Sequence, residues 1–192
     1  MKAILMSIKP EFCQLIFEGK KTIEVRKSAP KLEPPFKVFV YMTKSKDKLT
    51  QFYNGNGEPT NGKVIGSFVC DKIYSEMDRY FGEKYDTPTY SNVFFEQSCL
   101  SLEELNSYLE DKLGYGWHIT EPKQFKELKQ LSEFSRYGYS PMNGGGYCDN
   151  PDCKYFEWTR DMQMQYEPPV CNFGRCCALE RPPQSWCYVE VE

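Results

Sequence analysis

One eight-residue stretch of this chain concentrates the side chains that could do chemistry together. In Gly19-Lys20-Lys21-Thr22-Ile23-Glu24-Val25-Arg26 polar and apolar residues alternate. A strand with that period turns Ile23 and Val25 to one face and Thr22, Glu24 and Arg26 to the other. A hydroxyl, a carboxylate and a guanidinium then stand in a row, with Lys20 and Lys21 at its entrance. Such a row can grip a nucleobase, a phosphate or another planar polar ligand, because arginine donates from a flat, bidentate fork. The same alternation also suits an ordinary solvated strand face carrying cross-strand charge pairs.

A second group is rich in thiols. Five of the nine cysteines fall within 148–177, as Cys148-x4-Cys153 and Cys171-x4-Cys176 with Cys177 adjacent. Two turns, Asn150-Pro151-Asp152 and Phe173-Gly174-Arg175, separate the members of each pair. Four thiolates held this way are how a closed, structural zinc site is built. The surrounding residues, with Glu157, Arg160, Asp161 and Glu167, offer little apolar content, so metal binding would supply the folding free energy there. Disulfides and unpaired thiols are the competing readings, and nothing in the sequence suggests the oxidising compartment that disulfides need. The expectation is therefore a structural zinc on Cys148, Cys153, Cys171 and Cys176, with Cys177 an open alternative to Cys176. Cys13, Cys70, Cys99 and Cys187 sit in apolar patterns and read as small core hydrophobes.

Much other chemistry is excluded. A single histidine, His118, argues against Cys2His2 zinc and against most histidine-based acid–base schemes. There is no P-loop, no G-x-G-x-x-G after a strand, no G-x-S-x-G and no H-E-x-x-H. Trp117, Trp186 and Tyr188 read first as core residues, although Arg181-Pro182-Pro183-Gln184 leads into Trp186 and could border a pocket.

The elements that must position these residues are short. Met1 to Ile8 reads as a strand, and Pro10 suits the first position of a helix because its missing N–H would go unpaired there anyway. Phe12, Leu15 and Ile16 give Glu11 to Glu18 an apolar stripe, and Gly19 supplies the stop. Phe36 to Thr43 and residues 63–73 read as strands separated by a turn-rich loop. Residues 77–98 hold six tyrosines and phenylalanines without a period, and the expectation is an irregular excursion. Ser101 and Glu104 form a capping box that opens a helix to about Asp111. Trp117–Thr120 and Gln124–Leu128 suggest a further strand region, and Pro183 to Val191 a final strand.

Length and charge bound the partners. At 192 residues the chain can build one good core with an elaboration. Residues 1–50 carry eleven Lys and Arg against five Asp and Glu, whereas the remainder carries thirteen against twenty-two. A basic quarter that contains the motif fits phosphate contact, and the acidic remainder argues against avid binding to duplex DNA. No run reaches the length of a membrane span and no signal segment opens the chain, so no membrane partner and a cytoplasmic location are expected.

Strand, short helix, glycine and then G-x-K-x-x-E-x-R, matched at Gly19, Lys21, Glu24 and Arg26, resembles the ASCH family of the PUA-like superfold. The strand at 62–73 is similar to that family's central barrel strand. The resemblance implies an α+β fold: a small PUA-like β-barrel with short flanking helices, spanning 1–140 plus 179–192. The cysteine spacing described above makes 141–178 an insertion in it, expected to be a zinc knuckle. The resemblance also implies RNA or a nucleoside as ligand, bound through Lys20, Lys21, Thr22, Glu24 and Arg26. The alternative is an amidohydrolase acting on N4-acetylcytidine-type nucleosides, with Lys21 as nucleophile or base and Glu24 beside it in the catalytic pair. The branch with that activity carries threonine at the position of Glu24, and its further glutamate has only Glu96 as a loose counterpart here. On either reading, replacing Lys21 or Arg26 with alanine is expected to abolish binding and leave the fold intact.

Overall fold

Apolar side chains fill the opening of the chain, and Lys2–Ile8 forms strand β1 with Ala3, Ile4, Leu5, Met6 and Ile8 all buried. The computed structural model describes residues 2–44, 53–74, 92–110, 114–136 and 178–190. Cys148, Cys153, Cys171, Cys176 and Cys177, and with them the whole expected insertion at 141–178 except its last residue, lie outside the described residues.

Pro10 opens helix α1 (Pro10–Phe17), which buries Cys13 and Ile16 against the sheet. Strands β2 (Ile23–Arg26), β3 (Phe36–Met42) and β4 (Val64–Tyr74) follow. Next come helices α2 (Asn92–Ser98) and α3 (Leu102–Leu109), then strands β5 (Tyr115–Lys129), β6 (Ser135–Arg136) and β7 (Trp186–Glu190). The capping box is formed: Ser101 Oγ accepts from the Glu104 N–H at 3.2 Å, and Glu104 Oε2 accepts from the Ser101 N–H at 2.8 Å.

Among the described residues the strands make one mixed sheet in the order β2-β5-β4-β3-β1-β7-β6, curled into a half-barrel. β1 and β3 run parallel, Ile4 against Val38 through Ile8 against Met42, and the other pairs are antiparallel. Register shifts along β4 and β5 mark bulges, which add twist and let a sheet bend. The α+β class and the PUA-like architecture are as the sequence led us to expect.

Alternation then sorts the core into layers. Ile4, Met6 and Ile8 face the concave side with Val38, Val40, Phe68 and Trp117, covered by α1. Ala3, Leu5, Phe39 and Tyr41 face the other side, under Phe134 and Leu179. A third cluster joins Ile23 and Val25 to Leu105 and Leu109 of α3 and to Phe94 and Phe95 of α2.

One expectation about elements needs correction. Part of the stretch read as irregular, 92–98, is helical, because Phe94 and Phe95 find an apolar face to cover that local periodicity does not display. The strand region expected from 117–120 and 124–128 is one continuous strand, β5, which pairs with β2 at its start and with β4 along its length.

Candidate functional site

The turn after α1 aims the motif. Gly19 takes φ +73°, a conformation that side-chain-bearing residues adopt at a cost. The Leu15 carbonyl then accepts from both the Lys20 and Lys21 N–H groups, at 2.9 and 3.0 Å. Thr22 is held on both sides: its N–H donates to the Gln97 carbonyl at 2.9 Å and its carbonyl accepts from the Ile119 N–H at 2.8 Å. With the chain pinned there, Lys20 and Lys21 part. Lys20 stays in solvent and pairs with Glu18 at 2.7 Å, while Lys21 turns inward and is 1 % exposed.

Strand β2 supplies the rest. Glu24 and Arg26 lie on the face opposite Ile23 and Val25, as the alternation predicts, and they are buried as well. The packing of α3 and α2 on one face and of the half-barrel interior on the other removes the solvated strand face that the alternation alone would also allow. Arg26 Nη1 meets Glu24 Oε1 at 2.6 Å, and Lys21 Nζ stands 3.3 Å from Glu24 Oε2. Lys21 Nζ also donates to the Ser98 carbonyl at the end of α2, where the helix leaves carbonyls without partners. Arg26 further donates to the carbonyls of Val25 at 3.1 Å and Ser7 at 2.7 Å, so its guanidinium ties β2 to β1, which do not pair in the sheet.

The cluster carries a surplus of charge. Two cations surround one carboxylate, and the other buried polar residues among those described are Asn54, Thr60, Ser67 and Ser98, none of them acidic. Cys13 does not supply the missing anion: burial first, then the Glu24 and Glu11 carboxylates, hold its thiol well above the usual cysteine range. Burial likewise pushes the Cys70 thiol up to about 12. Cys13 and Cys70 are buried as core residues, whereas Cys99 and Cys187 are half-buried.

Among the described residues three buried polar atoms in this region have no hydrogen-bond partner: Glu24 Oε2, Arg26 Nε and Trp117 Nε1. Glu24 Oε2 does face the Lys21 ammonium, yet the geometry is that of an ion contact without a hydrogen bond. The strand register sets Trp117 directly across from Glu24. Trp186 packs beside Trp117 with ring centres 5.6 Å apart, and Phe12 lies under the Lys21 ammonium at 4.8 Å. A row of charge set among aromatic rings is therefore what these elements assemble.

A family model for the ASCH domain matches residues 6–143. The chain belongs to the ASCH domain family. ASCH domains are PUA-like and generally bind RNA. Among solved structures, the ASCH protein from Zymomonas mobilis is 18 % identical, with 67 % of this chain and 73 % of that one covered at a TM-score of 0.46. A serine-to-alanine mutant of the same Zymomonas mobilis protein is 13 % identical, covering 98 % and 88 % of the two chains at a TM-score of 0.49. No curated protein matches the chain.

The remaining residues of this ASCH domain singled out from sequence fall elsewhere. Thr22 is half-buried beside the cluster, Lys20 points away from it, and Glu96 is exposed on α2. His118 Nδ1 lies 2.6 Å from Asp71 Oδ1 on the outer side of β5. Trp117 and Ser98 were not among the expected site residues. Trp117 reads as core from sequence, and only its register opposite Glu24 reveals its unpaired N–H. A separate cleft of about 460 Å³, lined by residues such as Ser7, Tyr41, Lys44 and Gln130, opens on the other side of β1. Arg26 touches its wall only through the Ser7 carbonyl. Among the described residues no group of three or more His, Cys, Asp or Glu side chains could hold a metal, and no helix is long and apolar enough to cross a membrane.

Proposed function

We propose that this ASCH domain binds RNA or a nucleoside at the cluster of Lys21, Glu24 and Arg26. The observation that carries the reading, among the described residues, is the buried surplus of one positive charge together with three polar atoms that make no hydrogen bond. Each unpaired buried group costs about 1–3 kcal/mol, and a core without a ligand to bind has no use for that cost. A phosphate or an acceptor-rich base edge would offset it. Exposed bases of single-stranded RNA suit such a site better than a duplex. Because Arg26 is tied to Ser7 and Glu24, Arg26→Ala would disturb the half-barrel as well as the site, contrary to the expectation from sequence of an intact fold. Arg26→Lys is the sharper probe, keeping the charge and losing the fork. It should weaken binding of short single-stranded RNA about tenfold at matched salt, measured by fluorescence anisotropy. Unchanged affinity with the variant folded would overturn the reading.

The Lys21–Glu24 contact at 3.3 Å favours a second reading, hydrolysis of the N4-acetylcytidine amide. Water would be added across the C–N bond to give cytidine and acetate, with Lys21 as nucleophile or base and Glu24 holding its proton. Incubation of N4-acetylcytidine with the protein and with Lys21→Ala decides this reading. Cytidine formed by the first and not by the second, with the variant shown to be folded, supports it, and no cytidine from either excludes it.

A further inference from the structure

Resting on the reading of the cluster as a base-binding site, we infer that the base it selects is a uracil-type imide. Glu24 commits Oε1 to Arg26, and its Oε2, in ion contact with the Lys21 ammonium at 3.3 Å, makes no hydrogen bond and can still accept one. Arg26 commits both Nη atoms, to Glu24, Val25 and Ser7, and has its Nε–H free to donate. Trp117 has its indole N–H free to donate, and an indole nitrogen cannot accept.

The backbone places the three side chains on one face of the sheet. Trp117 is the cross-strand partner of Glu24, and directly opposed residues hold their side chains on the same face, about 5 Å apart at Cβ. Arg26 is two residues along β2 on that face. The unused inventory is thus a carboxylate acceptor with a donor on each of two sides. The pairing edge of uracil is the complement, with a carbonyl, an N–H and a second carbonyl in turn. Cytosine offers donor, acceptor, acceptor and would set its ring nitrogen against the carboxylate. Guanine would leave one donor facing another. A site built to hydrogen-bond rejects an analogue that leaves its buried groups unpaired. The three atoms are closed to solvent in this structure, and half-buried Trp186 packs beside Trp117, so the proposal requires the edge to enter by displacing Trp186.

The experiment titrates the full chain with hexamers of uridine, cytidine and N3-methyluridine at one salt concentration. Intrinsic tryptophan fluorescence is the readout, and the titrations are repeated with Glu24→Gln. The uridine hexamer should bind about tenfold or more tighter than the other two. Glu24→Gln, which keeps the shape and replaces the carboxylate, should shrink that preference. Equal affinity for the three hexamers, with Arg26→Lys still weakening all of them, would overturn the uracil assignment and leave the RNA-binding reading standing. Tighter binding of the cytidine hexamer would also overturn it. Absence of binding by any hexamer would overturn both.

Discussion

Glu24 is the residue on which the interior of the half-barrel turns. It sits between Lys21 and Arg26, and among the described residues the hydrogen bonds of those cations to other residues go to backbone carbonyls. Removing it leaves two cations buried with no counterion, and breaking a buried pair from one side costs about 3–5 kcal/mol. Glu24→Ala should therefore lower the urea midpoint far more than Glu24→Gln, whose amide oxygen can still accept from Arg26. Midpoints within error of wild type for both variants would mean that the three charges do not hold the interior together. The sequence displayed the residue types and the parity of Glu24 and Arg26. It did not display the burial of Lys21, because Lys21 precedes β2 and its direction is set by the turn at Gly19 and the waiting Ser98 carbonyl.

At the scale of elements, the site depends on how closely α1 approaches the sheet. A Cβ built on Gly66 of β4 would lie 2.5 Å from the Lys123 carbonyl oxygen and 2.5 Å from Phe17 Cζ. The first neighbour is backbone of the adjacent strand and cannot give way easily. Gly66→Ala should cost about 1–3 kcal/mol, as overpacking does, and should show as a lowered melting temperature. An unchanged melt would mean that α1 can ride further from β4 than the structure places it. The elements with a strong local signal were legible: Pro10 and Gly19 bracket α1, and Ser101 with Glu104 opens α3. Helix α2 was not, because its reason for forming is the apolar face of Ile23 and Val25 that it covers. Local sequence carries no trace of a partner that comes from elsewhere in the chain.

At the scale of the whole molecule, the remaining question concerns the cysteine-rich insertion. We propose that Cys148, Cys153, Cys171 and Cys176 hold a structural zinc, with Cys177 as the alternative to Cys176. The paired spacing and the polar composition around it support this. Thiolates must lose protons to bind, so the metal should leave as pH falls and on chelation. Elemental analysis of protein purified without chelator should find about one zinc per chain, and Cys148→Ser with Cys153→Ser should abolish it. The half-barrel should survive that loss, since the strands β1 and β7 that pair across the insertion keep their core. Absence of metal, with all five thiols titrating freely, would refute the site.

Sequence alone carries the local grammar: the strand period of the motif, the bracketed helix, the capping box and, through the ASCH signature, the family and its fold. Those features rest on contacts between residues a few positions apart, so they survive being read one segment at a time. The tertiary structure decided which polar residues act together. It buried Lys21, left Lys20 in water, set Trp117 across from Glu24 and carried Arg26 over to Ser7. Each of those outcomes depends on strands distant in sequence meeting in one register. Burial and charge balance are properties of that meeting and not of any segment taken alone.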